Sequence, residues 1–139
     1  MTIDIKTMLH RVVDEVFDEK FVVVDTNSEA DSWLHGVQVS GRFGVIRTAR
    51  IRASYEWVDA FIPELNVGTI LFDYDDVEKE KEFELRRLCV AIRAYLEGEG
   101  QVEKRRRIYG LRTTSTLRLE VDGSRWDLGR NWSSGPYPA

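Results

Sequence analysis

The sequence predicts an α+β fold: a mainly antiparallel sheet of about five or six strands with two amphipathic helices packed on one face. Three observations carry that expectation. Residues 4–18 and the later part of the stretch Gly68 to Gly98 place apolar residues at spacings of three and four, the signature of a one-sided helix. Segments between and after them alternate apolar and polar residues with a period of two. Strand-like segments also follow one another directly, without the strand–helix alternation that a parallel sheet requires.

The first helix rests on Ile5, Met8, Leu9, Val12, Val16 and Phe17, with Thr2 or Asp4 as its cap. Phe21-Val22-Val23-Val24 reads as a short buried strand, and Asp25 to Ser32 as a polar loop of turn formers. A hairpin follows, its first arm marked by Val37 and Val39, its turn at Gly41-Arg42 or at Gly44. In the second arm Phe43, Val45, Arg47, Ala49, Ile51, Ala53 and Tyr55 share one face, and Ile46, Thr48, Arg50 and Arg52 the other. Arg47 thus falls among core positions. Either it reaches out at the sheet edge, or a bulge at Gly44 shifts the register by one.

Trp57, Val58, Phe61 and Ile62 fit a short helical turn that Pro63 ends. Thr69-Ile70-Leu71-Phe72 is a strand leading to the acidic string Asp73-Tyr74-Asp75-Asp76 and then to the longest helix. That helix carries the stripe Leu85, Leu88, Cys89, Ile92, Tyr95 and Leu96 and stops at Gly98-Glu99-Gly100. Lys79 and Lys81, interleaved with Glu80, Glu82 and Glu84, read as its solvated face. Glu103 to Arg107 is a charged connector. Leu117, Leu119 and Val121 form the first arm of a last hairpin, with Asp122-Gly123 as a type I′ turn into Trp126 and Leu128. Residues 1–130 are expected to form a single domain and 131–139 a loosely held tail.

With 139 residues the chain is long enough to bury about two-thirds of its unfolded surface without disulfides or metal. The 42% hydrophobic and 32% charged fractions describe a folded, well-solvated protein. No apolar run reaches the length of a membrane span and the N-terminus lacks signal-peptide character, so a cytoplasmic protein with no membrane partner is expected. A net charge of −4 disfavours nucleic acid as the main partner.

Few residues suggest chemistry. Asp73 and Asp75 sit where a strand end holds a divalent cation in several transferases, but an EF-hand register fails at Val77 and Glu78. The stronger reading is a helix start capped by Asp75 or Asp76, with Glu78 completing a capping box. His10 and His35 have no zinc-ligand spacing; a fold bringing His35 to Asp25 or Asp31 would create an acid–base pair. Cys89 lies in the buried stripe, away from the exposed electropositive setting a reactive thiol needs. There is no Gly-x-Ser-x-Gly, and Gly41 to Gly44 is no phosphate loop. No catalytic residue, metal or cofactor is assigned.

What remains is arginine and tryptophan. Fifteen of the 20 basic residues are arginine, and Trp33, Trp57, Trp126 and Trp132 are many for this length. Trp33 and Trp132 stand in polar, turn-rich surroundings, a composition typical of protein-interaction hot spots. The expected function is therefore a non-enzymatic, macromolecule-binding protein of the toxin-neutralising or secretion-chaperone kind. Its partner is another protein, met through Trp33, His35, Arg47, Arg50, Arg52, Trp57 and Trp132. The first alternative is a small enzyme or small-molecule binder using the acidic strand end or a helix–sheet pocket near Arg47, Tyr55 and Trp57. The second is nucleic-acid binding through Arg42, Arg50 and Arg52 and the cluster Lys104-Arg105-Arg106-Arg107 with Tyr109 and Arg112.

Overall fold

The structure, a computed structural model, describes residues 4–26, 34–43, 45–72, 77–106, 113–130 and 136–138. Helix α1 (Ile5–Val16) leads into β1 (Phe21–Asp25), β2 (His35–Phe43), β3 (Val45–Ala53), β4 (Trp57–Ile62) and β5 (Val67–Phe72). Helix α2 (Glu78–Leu96) follows, then β6 (Gln101–Arg106), β7 (Thr113–Val121), β8 (Ser124–Leu128) and β9 (Tyr137–Pro138). The fold is α+β and its sheets are antiparallel, but the strands divide into two sheets, β1-β2-β3-β4-β5 and β6-β7-β8-β9. They meet where Gly68 and Gly129 exchange backbone hydrogen bonds of 2.9 and 3.3 Å.

Asp4 caps α1: its carboxylate accepts the Thr7 N–H at 3.1 Å, leaving the helix to bury Ile5, Met8, Leu9, Val12, Val13 and Val16. Both helices lie against the same face of the five-stranded sheet, the face that carries Val37, Val39, Ala49, Ile51, Ala53, Val58, Ala60 and Ile62. Leu117, Leu119, Trp126 and Leu128 of the second sheet join the same core around α2. Asp122 and Gly123 both take positive φ, 50° and 77°, as the expected type I′ turn demands.

Several local expectations are corrected. Trp57 to Ile62 is a strand, not a helical turn: Val58, Ala60 and Ile62 alternate inward while the backbone pairs with β3 and β5 on either side. The charged connector is strand β6, where cross-strand bonds to β7 outweigh composition. Val22, Val23 and Val24 are exposed, because β1 is an edge strand and only Phe21 reaches the core. Gly41 and Arg42 lie within β2, whose pairing runs on to Phe43 opposite Val45. Val77, with no side-chain bond, occupies the N-cap position of α2 that was assigned to an acid. Beyond these elements, Tyr137 and Pro138 pair with Arg125 and Ser124 as β9.

Candidate functional site

Register divides the arginines of β3 between two faces. Arg47 lies on the same face as Ala49 and Ile51, at the end where α2 terminates. Its guanidinium donates to the carbonyls of Tyr95 at 2.8 Å and Glu99 at 3.3 Å and stacks 4.7 Å from the Tyr95 ring centroid. It reaches from near the end of the central strand β3 to close the helix, and it stands on the other face from Arg50 and Arg52. By alternation His35 shares the helix-covered face with Val37. The carboxylate of Asp25 meets His10, at 2.9 Å from Nε2, in an exposed pair. Trp33, Trp132, Asp73 and Asp75 lie outside the described residues.

The opposite face of the sheet holds Arg50, Arg52 and Trp57 together. Arg50 is opposite Phe61, Arg52 opposite Asp59, and Trp57 opposite Phe72. Arg52 grips Asp59 through two bonds of 3.1 and 2.6 Å, and its guanidinium lies 5.1 Å from the Trp57 ring centroid. Asp59 is buried, and that burial holds its carboxyl above the usual carboxylate range although the guanidinium pulls the other way. Gly36 is opposite Arg52, and a Cβ there would stand 3.2 Å from Arg52 Cγ and 2.7 Å from Thr26 Oγ1. The glycine thus leaves room for the arginine stem.

From Trp57 the aromatic surface continues past the sheet. Phe72 is 56% exposed and Phe83 58%, and they line one shallow groove with Lys79, Glu80 and Glu84. Phe83, with Arg87 5.3 Å from its ring centroid, also opens a second groove of about 300 Å³ between α2 and the β7–β8 hairpin. Val90, Val121 and Trp126 give it an apolar lining. Arg86 and Arg87 at its rim are held by Glu15, Glu82 and Glu84. Trp57, Phe72 and Phe83 therefore form one aromatic band flanked by arginines.

Sequence reasoning missed Phe72 because it ends the apolar run Thr69 to Phe72 and counts as core until the register is known, and Phe83 because it stands alone between Glu82 and Glu84. Phe83 falls outside the stripe of Leu85, Leu88 and Ile92, and Val90 lies seven residues on; that spacing is a second, weaker stripe. Lys81 was also misplaced. It is buried, with its ammonium donating to the Tyr55 carbonyl. Its position four before Leu85 and seven before Leu88 puts it on the buried stripe, a signal the charge pattern hid.

Among the described residues no group of histidine, cysteine and acidic side chains is placed to hold a metal. The Cys89 thiol is buried and pushed up to about 12, so it packs and does not react. No described helix is long and apolar enough to cross a membrane. Comparison with protein-family models, with curated proteins and with solved structures gives no match.

Proposed function

We propose that the protein is a non-enzymatic binding module that docks another protein on the band of Trp57, Phe72 and Phe83. One observation carries this: three large aromatic side chains, two of them more than half exposed, are contiguous across β4, β5 and α2, with Arg52 and Arg87 stacked on the outer two. Aromatic and arginine side chains dominate the energetics of protein interfaces, because they bury large area at low entropic cost. The groove beside Phe83 has the size to take one bulky apolar side chain of the partner. A toxin neutraliser or a secretion chaperone is the finer class this reading admits.

The test is capture of a stoichiometric partner by the purified chain and by the triple variant Trp57→Ser, Phe72→Ser, Phe83→Ser. Retention should fall at least about tenfold in the triple variant, the scale of a lost hot spot. Val102→Ser, exposed on β6, should retain the partner fully. A partner held equally by all three proteins, or none held by the wild type, overturns the proposal.

A further inference from the structure

The free strand edges of the molecule are not alike. Among the described residues the edges fall at β1, β5, β6 and β9, and of these β5 is bridged at Gly68 to Gly129 and lies against β7 and β8 of the second sheet. Strand β9 is two residues long and ends in Pro138, and β6 carries Glu103, Lys104, Arg105 and Arg106. Shortness, proline and charge are the devices by which sheets refuse a further strand. Strand β1 has none of them over Val22, Val23 and Val24, which are 37%, 37% and 54% exposed.

Its backbone is directed to match. The Thr26 N–H donates to the Gly36 carbonyl at 3.0 Å, in the same register that sets Val22 opposite Ser40 and Val24 opposite Gln38. Alternation then gives the even-numbered residues to β2 and turns the N–H and C=O of Val23 outward, away from the sheet.

We propose that β1 pairs antiparallel with β1 of a second copy of this chain about a two-fold axis at Val23. In that register Val23 meets its own counterpart and the two exchange a pair of hydrogen bonds. Val22 lies opposite Val24 of the second copy, twice by symmetry, so all three valines are covered. Asp25 lies opposite Phe21, and no like charges face each other. A shift of two residues either way would set Asp25 opposite Val23 or Lys20 opposite Val24, so the valine run itself selects the central register. The product is a ten-stranded antiparallel sheet. Its seam is only five residues long on each side, below the area of a permanent interface, so the dimer forms and dissociates with concentration. Because β1 and β5 are at opposite edges of the sheet, the aromatic band stays open in both copies.

Single cysteines read the register in the full chain, since the native Cys89 is buried. Val22 and Val23 are equally exposed, yet only Val23 meets itself at about 5.5 Å between Cα atoms, within disulfide reach. Under mild oxidation Val23→Cys should form the intermolecular disulfide roughly tenfold faster than Val22→Cys, an effective-concentration effect. In sedimentation the wild type should shift from monomer to dimer with concentration, and Val24→Lys should stay monomeric with an unchanged melting temperature. Equal rates for the two cysteines mean random collision and overturn the proposal. So does a wild type that is monomeric at every concentration, the result expected if β1 receives another protein's strand. Open-ended aggregates in place of a dimer overturn it as well.

Discussion

The two ends of α2 are held in different ways. At its C-terminus the backbone closes on itself: the Gly98 N–H donates to Tyr95 and the Glu99 N–H to Ala94, both at 3.0 Å, which is a Schellman motif. Arg47 then takes the carbonyls of Tyr95 and Glu99, and Arg93 reaches the Val16 carbonyl at 2.7 Å. At its N-terminus Val77 offers no side-chain cap. Support there is charged. Lys81 is buried against the Tyr55 carbonyl in the β3–β4 turn, and the Arg52–Asp59 pair ties together the strands that flank that turn. One end is closed by backbone geometry with two arginines added to it, and the other has no side-chain cap and depends on ionised groups. The exposed aromatic residues gather at the second.

Glycine substitutions test the first end and carry the largest effect. Gly98 and Gly100 have φ of 101° and 104°, so a side chain at either is strained. Around Gly98 a Cβ would meet nothing within 4 Å, whereas at Gly100 it would stand 2.7 Å from Leu119 Cδ2 and 3.0 Å from Leu117 Cδ1. Gly98→Ala should therefore cost about 1 kcal/mol, from strain alone. Gly100→Ala should cost about 3 kcal/mol, because overpacking against two buried leucines adds to the strain. Urea titration of both variants measures the gap, which should be the same at pH 4 and pH 7. Equal costs would mean that the turn after α2 moves freely relative to β7.

This contrast also marks what the sequence made legible. Gly98 stops the helix and Asp122-Gly123 turns the hairpin for local reasons of φ, and both were readable residue by residue. The core stripe of α2 was readable too, except at Lys81, where a charged side chain occupies an apolar register position. What could not be read was pairing. Gln101 to Arg106 has a connector's composition and becomes a strand only because β7 lies beside it. Alternation already sets Arg47 and Arg52 on opposite faces; what pairing and packing add is the partner of each, the end of α2 for one and Asp59 beside Trp57 for the other. Of the expected binding set, Arg50, Arg52 and Trp57 come together, and the band they begin is completed by two phenylalanines that sequence alone assigned to the strand end and the helix.

The charged end should respond to pH, and unequally to its two partners. Asp59 is the buried member of the pair and Arg52 the solvated one, at 3% and 40% side-chain exposure. Removing Arg52 strands a buried carboxylate, and Arg52→Ala should cost about 2 kcal/mol at pH 7, discounted from the cost of a fully buried pair. Asp59→Asn leaves the guanidinium in contact with water and should cost less than about 1 kcal/mol. Burial already raises the folded-state carboxyl above its unfolded value. Its contribution to stability is therefore full below the ordinary carboxylate range and lost as pH rises through the raised value. Without Arg52 the rise is larger, so the deficit of Arg52→Ala should shrink between pH 7 and pH 4. A deficit that grows on acidification would show that the pair stabilises through its charge and not through relief of a buried one.

The smallest effect on stability is expected on the band proposed to dock a partner. Phe83 is 58% exposed, and its aromatic neighbours on the band lie across a groove and not in the core. Phe83→Ser removes apolar surface that folding hardly buries, and should change stability by less than about 0.5 kcal/mol. Leu88, five residues on, is fully buried on the opposite stripe of the same helix, so the two positions separate packing from presentation. Thermal melting of Phe83→Ser against the wild type gives the answer directly. A loss comparable to that of a core leucine would mean that the α2 groove is closed in solution and that Phe83 belongs to the packed interior. An unchanged melt leaves a large, solvent-facing aromatic side chain that contributes nothing to the fold, which is the energetic mark of a residue kept for contact with something else.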